Sequence, residues 1–250
     1  MPFSIDEDLP RLRFERNPLR SVVWQMRFPP LLSIDGGALV GKFQAAIRAE
    51  YPLTARGAAV SAGDPAPWHF RDTTETWTVA LHRDSLALET VDYVRFEDFR
   101  ARLERLLTAA EETLEIAHTL RLGLRYVDHI DPPGARTPEH FARYLNEDLI
   151  GVVAGPRLSP HVVDALQFIR LRVSSHEMTV RHGFVGPLTG EPDAPFYLMD
   201  TDAYRHESAS YDRSRCIEAV DGFKRHCWSF FRQSIRDELV DYMGPVKLDA

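Results

Sequence analysis

This chain of 250 residues has little cysteine and no residue pattern that marks a metal centre. Its two cysteines, Cys216 and Cys227, lie in a segment that we predict to be one helix. The helical rise places them about 16 Å apart, so they cannot bridge, and we expect buried, reduced thiols. No spacing of histidine and cysteine is typical of zinc, and no Gly-x-Ser-x-Gly motif marks a serine nucleophile. We therefore predict neither a cofactor nor catalytic residues.

Long apolar runs are also absent, which argues against a helix that spans a membrane. The first ten residues, MPFSIDEDLP, are acidic and lack the apolar stretch of a signal peptide. The composition, with 44% apolar and 27% charged residues, is typical of a globular protein with a substantial core. We therefore expect a cytoplasmic protein that does not bind a membrane.

Lysine is the scarce basic residue. The chain has 30 basic residues, of which only Lys42, Lys224 and Lys247 are lysines, and 37 acidic residues give it a formal net charge of −7. A negative chain is repelled by the phosphate backbone, so nucleic acid is a less favoured partner. Arginine provides planar, forked donors for carboxylates and phosphates. We expect a protein partner or another anionic ligand.

The first part of the chain alternates between strand-like and helix-like patterns. From Val22 to Phe28 every second residue is apolar, which is the period of a half-buried strand. Asp35 precedes a helical pattern that contains Leu39 and Phe43, and we predict it as the N-cap. Further predicted elements are three strands and a long amphipathic helix: Trp68–Arg71, Thr76–His82, Ser85–Tyr93 and the helix from Phe96 to Leu114.

The second part of the chain repeats this order. A strand at Thr119–Val127 is followed by a predicted helix that begins with Thr137 and Pro138 and extends to Leu149. The remaining predicted elements are three strands and a final long helix: Phe168–Val173, Met178–Phe184, Phe196–Tyr204 and Asp212–Tyr242.

This repetition predicts an α+β fold. It would consist of two similar β-α-β-β-β-α halves, residues 17–116 and 117–245, within a single integrated domain that covers residues 1–250. The segment LETVDY before the first long helix also parallels LMDTDAY before the second. We expect an antiparallel-rich sheet with long amphipathic helices packed on one face.

Several motifs resemble those of a known family. They are RLGLRY at residues 121–126 and, near the C-terminus, IRDEL at residues 235–239 followed by MGP at residues 243–245. Together with NPL at residues 17–19, they are similar to motifs in a sporadically distributed family of uncharacterised prokaryotic proteins of similar length. The resemblance covers nearly the whole chain and implies no activity, cofactor or catalytic set.

Strand alternation suggests a binding surface. If the apolar face of each strand meets the helices, several arginines lie together on the opposite, arginine-bearing sheet face: Arg27, Arg121, Arg125, Arg170 and Arg172, with Arg181 as a further candidate. Such a face favours carboxylates or phosphates through charge-assisted hydrogen bonds. The simpler interpretation is a solvated sheet face in which the arginines pair with acids such as Glu89 and Asp202. Both interpretations remain open at this stage.

A different class of function is also open. Asp200 and Asp202 offer two carboxylates for a divalent cation, and Asp128, His129 and Asp131 form a second polar group near a strand end. The alternative is therefore a metal-dependent enzyme that acts on a phosphorylated small molecule or a nucleic acid. A homodimer is left open as well, because apolar residues cover more than one side of the last helix.

Overall fold

A computed structural model describes residues 4–7, 9–58, 65–173, 176–187 and 194–247. It confirms the predicted α+β class, with helices and a large antiparallel-rich sheet. The strands are β1 (Leu12–Phe14), β2 (Leu19–Arg27), β3 (Leu53–Arg56), β4 (Trp68–Arg71), β5 (Trp77–His82), β6 (Ser85–Thr90), β7 (His118–Ile130), β8 (Asp164–Val173), β9 (His176–Val185), β10 (Phe196–Ser210) and β11 (Pro245–Lys247). The helices are α1 (Ala38–Ile47), α2 (Phe96–Leu114), α3 (Pro138–Phe141), α4 (Glu147–Ile150), α5 (Arg213–Ser234) and α6 (Asp237–Met243).

Nine strands follow the hydrogen-bonded order β3-β4-β5-β6-β2-β7-β10-β9-β8, and β1 pairs separately with β11. The chain divides into two compact units. Unit 1 comprises residues 1–20, 126–203 and 224–250, and unit 2 comprises residues 21–125 and 204–223. Because β7, β10 and α5 contribute residues to both units, this division differs from the predicted halves. The single domain and its duplication stay predictions.

The core of unit 2 is formed by side chains that lie opposite each other on neighbouring strands, on the sheet face that is covered by helices. Trp24 of β2 lies opposite Leu88 of β6, which lies opposite Val79 of β5, and all three side chains are fully buried. The predicted alternation is what places these side chains on one face. Helix α2 covers part of this face, and the ring of its Phe99 lies 5.8 Å from that of Trp77.

Unit 1 has aromatic contacts of its own. The ring of Phe141 in α3 lies 5.8 Å from that of Phe184 in β9 and 6.1 Å from that of Tyr197 in β10. Near the chain ends, Phe14 of β1 lies 6.2 Å from Trp228 of α5, measured between ring centroids. These contacts fix α3 and α5 against strands of the same unit.

Two predicted helices are shorter than expected. The helix predicted from Thr137 to Leu149 is instead α3 and α4, and the one predicted to reach Tyr242 ends at Ser234 before α6 begins. Leu145 and Ile235 form an antiparallel bridge at both interruptions. The N–H of Asn146 donates to Ser234 O and the N–H of Arg236 donates to Tyr144 O, so these groups are not available to continue a helix.

Smaller differences concern helix starts and short strands. Gly37, in the left-handed region with φ +77°, is the N-cap of α1 instead of the predicted Asp35. Strands β1, β3 and β11 have three or four residues each and were not predicted. All four residues of β3 are exposed, so this strand has no alternation of buried and exposed side chains to detect. None of the helices in the described parts of the chain is long and apolar enough to span a membrane.

Candidate functional site

Three of the five candidate arginines lie on strands of unit 2. Arg27 is exposed at the end of β2, out of phase with the fully buried Trp24 and Met26. On β7, Arg125 is exposed and Arg121 is half-buried, whereas Leu122 and Leu124 are buried. We refer to Arg27, Arg121 and Arg125 as the unit 2 arginine surface. The alternation that placed them opposite the apolar residues therefore operates in both strands, and β2 and β7 are neighbours in the sheet.

The guanidinium group of Arg121 is held in one position by an aromatic ring. It lies over the ring of Tyr204, with 4.8 Å from Cζ to the ring centroid. A Cβ atom added to Gly123 would come within 2.7 Å of Arg121 Nη1, so the absence of a side chain at Gly123 is what admits the guanidinium group. A cation above an aromatic face is attracted by the ring quadrupole. Arg121 is thus a positioned donor group and not a freely rotating surface charge.

Tyr204 and His206 are the site residues that the sequence did not indicate. Their rings lie 5.3 Å apart in an edge-to-face arrangement on β10. The predicted strand ended at Tyr204, because the polar segment His206-Glu207-Ser208 that follows has no apolar alternation, yet β10 continues to Ser210. The pairing of Tyr204 with Arg121 depends on strands that are distant in sequence. Tyr204 already lies within the predicted strand, so only the pairing of β7 with β10 could have revealed this contact.

The other two candidate arginines belong to unit 1. Arg170 and Arg172 are exposed on β8, where they alternate with the half-buried Ile169 and Leu171. Leu166 and Phe168 share the face of Arg170 and Arg172, so this strand does not segregate its apolar residues. Arg172 lies opposite Glu177 in the β8–β9 register. The convergence of all five arginines on one surface stays a prediction.

Arg181 and the acidic candidates have internal partners. Arg181 Nη2 lies 3.0 Å from Asp200 Oδ2, which is the kind of ion pair that the simpler interpretation expects. Asp131 is exposed and lies 3.5 Å from Arg20. Asp202 also has an interaction partner within the structure.

Asp128 is the most perturbed acid of this group. Burial, followed by the nearby charge of Asp200, raises the pKa of Asp128 to about 8. Asp128 is therefore protonated near neutral pH, and a neutral carboxylic acid is a poor ligand for a cation. The neighbouring His129 stacks on Phe196 with 4.0 Å between ring centroids, and burial lowers its pKa.

The described residues contain no group of three or more histidine, cysteine, aspartate or glutamate side chains placed to hold a metal ion. Both cysteines are buried and unbridged. Burial raises the pKa of the Cys216 thiol to about 11 and that of Cys227 to about 12, which keeps both thiols protonated and unreactive.

Comparison with models of known protein families finds no match for this chain. Comparison with curated proteins finds no match either.

Proposed function

We propose that this chain is a non-catalytic binding protein whose unit 2 arginine surface engages an anionic group of a protein partner. The observation that carries the proposal is the position of Arg121, which is held by Tyr204 above Gly123 next to the exposed Arg125. A donor group that is already positioned loses less conformational freedom when it binds. A carboxylate or phosphate is the group that matches such a donor.

Arg27 supports the same proposal from the neighbouring strand. It is exposed, and within the described parts of the chain it has no ion pair. Several arginines elsewhere in unit 2 are instead paired with acids, such as Arg105 with Glu50 at 2.6 Å. An unpaired arginine on a strand face retains its full capacity to bind an external anion.

The overall charge shapes the expected binding. With a formal net charge of −7, the chain as a whole repels anions, so attraction depends on the local arginines at close range. Exposed charges separated by more than about 10 Å are screened at 0.1 M salt. We therefore expect binding that weakens with salt and that requires an acidic group able to approach the strand face directly.

Fluorescence anisotropy with two labelled probes tests the proposal. One probe is a polyglutamate peptide and the other a phosphoserine peptide, which present the two kinds of anion. Arg27→Ala with Arg125→Ala should weaken binding of at least one probe by about tenfold or more, since a charge-assisted hydrogen bond contributes about 1.5–3 kcal/mol. The thermal unfolding midpoint should remain nearly unchanged because both side chains are exposed.

A charge-matched control separates a local site from a general effect. Lys42→Ala with Arg48→Ala removes the same two charges from exposed positions of α1 and its C-cap. This control should leave binding of the probes unchanged. Equal losses in both double variants, or no salt-dependent binding of either probe to the unmodified chain, would contradict the proposal.

A further inference from the structure

The last strand in the sheet order of unit 1 is β8, a long strand with an open edge. It pairs with β9 over its whole length, from Asp164 opposite Val185 to Val173 opposite His176. Among the described strands, none pairs with its other side. An edge strand presents a row of backbone N–H and C=O groups that can pair with another strand.

The composition of β8 protects this edge only through the charges of Asp164, Arg170 and Arg172. Its ten residues, DALQFIRLRV, include neither proline nor lysine, and its pairing with β9 is uninterrupted by a bulge. Two large apolar side chains are exposed on one face: Leu166 is 53% exposed and Phe168 is 71% exposed. An edge of this kind is expected to have a partner.

The sequence of β8 is complementary to itself in one antiparallel register. If Gln167 faces Gln167 of a second copy, then Asp164 faces Arg170 and Leu166 faces Phe168. A two-fold axis repeats both pairs, which gives two ion pairs and two apolar pairs on one face. On the other face Ala165 meets Ile169.

Neighbouring registers keep only part of this agreement. With Phe168 facing its own copy, Asp164 would face Arg172, but Leu166 would face the charged Arg170. With Leu166 facing its own copy, Asp164 would face Phe168. Asp164 is also held in place, since its Oδ1 atom accepts a hydrogen bond from the N–H of Gly186 at 3.0 Å. Arg170 is exposed and has no ion pair within the described residues.

We propose that a second copy of this chain binds along β8, antiparallel and centred on Gln167, so that the sheet continues across a two-fold axis. The occupant follows from charge and apolar complementarity together, because only this self-pairing places Asp164 opposite Arg170 and also Leu166 opposite Phe168. The proposal is independent of the function proposed for the unit 2 arginine surface. The contact is confined to one strand pair, so we expect a dimer that dissociates in the micromolar range.

Sedimentation velocity on the full chain, over a wide range of concentrations, provides the test. The unmodified chain should change from monomer to dimer as concentration rises. Arg170→Asp places two aspartates opposite each other, and Asp164→Arg places two arginines opposite each other, so each variant alone should raise the dissociation constant at least tenfold. An equimolar mixture of the two variants should restore the dimer, because every opposed pair then has opposite charge.

The control is Arg172→Asp, which makes the same charge change on the same strand face at a position that faces no acid of the second copy in this register. Within its own chain this residue lies opposite Glu177 of β9. It should leave the dissociation constant within about twofold of the original. Circular dichroism verifies that each variant is folded, and Phe168→Glu provides an independent variant that should also weaken the dimer.

Three outcomes would overturn the proposal. One is a monomer at every concentration. Another is a dimer that is insensitive to both Phe168→Glu and Arg170→Asp, which would place the contact on another surface. The third is a mixture of the two charge variants that remains monomeric although Arg172→Asp still dimerises.

Discussion

The two units differ in what they bury. In unit 2 the sheet core is formed by side chains such as Trp24, Leu88 and Val79. All buried polar or charged side chains of the described residues lie in unit 1, with the exception of Thr90 and Thr119. Those of unit 1 are Asp128, Ser159, His176, His182, Asp200, Thr201, His226, Ser229 and Ser234. Buried aspartate and histidine couple stability to pH, so unit 1 should dominate the response of the chain between mildly acidic and mildly alkaline pH. Unit 2 buries Cys216, whose thiol has its pKa raised to about 11 and therefore titrates above that range.

The units also differ at their edge strands. In unit 2 the edge is β3, which has only four residues, and the guanidinium group of Arg56 lies 4.2 Å from the centroid of the Trp68 ring on the neighbouring strand. In unit 1 the edge is β8, which has ten residues and exposes Leu166 and Phe168. A short edge offers few backbone groups to a second strand, whereas a long apolar edge offers many. Unit 1 is therefore the better candidate for self-association.

The largest expected effect comes from the apolar core of unit 2. Trp24→Ala should lower the free energy of unfolding by about 3–5 kcal/mol, because it removes a fully buried aromatic side chain and leaves a cavity. Urea unfolding measures this loss. The loss should be the same under mildly acidic and mildly alkaline conditions, since no charge is involved, and a strong pH dependence would contradict the contrast between the units.

Asp128→Asn tests whether the stability of unit 1 depends on pH. In the folded chain burial raises the pKa of Asp128 to about 8, whereas an unfolded chain releases this proton near pH 3.8, the ordinary pKa of an aspartate. The folded state therefore binds more protons in this window, and its stability is lost as the pH rises through it.

Asn is neutral at every pH. Asp128→Asn should reduce the loss of stability that accompanies rising pH. At alkaline pH its free energy of unfolding should exceed that of the unmodified chain by about a few kcal/mol. Urea unfolding across this pH range measures the difference. Asp131→Asn is the control, because Asp131 is exposed and should change the profile little. Identical profiles for Asp128→Asn and the unmodified chain would refute the buried, protonated state.

A smaller effect on stability is expected from His226, and it concerns acidic pH. His226 Nδ1 is 3.1 Å from His176 Nε2, and its Nε2 is 3.3 Å from Asp6 Oδ1. Burial and the charge of Arg225 lower the pKa of His226. The unfolded chain thus binds a proton that the folded chain does not, and stability is lost as the pH falls below about 6.5.

His226→Gln should reduce this acid-side loss, at a cost of about 1–2 kcal/mol near neutral pH from the lost hydrogen bonds. Unfolding followed from neutral to mildly acidic pH measures both quantities. His161→Gln removes an exposed histidine and is the matched control. If both variants retain the full acid-side slope, buried histidine is not its source.

The smallest effect on stability concerns Gly123. Gly123→Ala would place a Cβ atom 2.7 Å from the present position of Arg121 Nη1, and a flexible side-chain end can move away. The cost should stay below about 1 kcal/mol, while the displaced guanidinium group should weaken binding of the anionic probes. Gly41→Ala in α1 has open space around the added atom and should slightly stabilise the chain. Unchanged probe binding in Gly123→Ala would show that the position of Arg121 is irrelevant to it.

Much of the fold was predictable because the spacing of apolar residues along the sequence indicates which side chains are buried. The strand Trp68–Arg71 and the helix that begins at Phe96 match β4 and α2 at their boundaries. Leu120, predicted on the apolar face of β7, is instead 39% exposed, whereas the neighbouring Thr119 is buried. The interruptions at Leu145 and Ile235 were unpredictable, since each depends on a bridge to a residue far away in sequence.

Sequence alone determined the α+β class, the alternation of buried side chains along β2, β5 and β6, and the exposure of Arg27 at the end of β2. These features follow from the spacing of residues along the chain, because in a strand successive side chains point to opposite faces of the sheet. Only the tertiary structure decided that Arg121 rests on Tyr204, that Asp128 is buried near Asp200, and that β8 has an open edge. Each of these depends on which distant segments become neighbours, and the periodicity of a single strand carries no information about that.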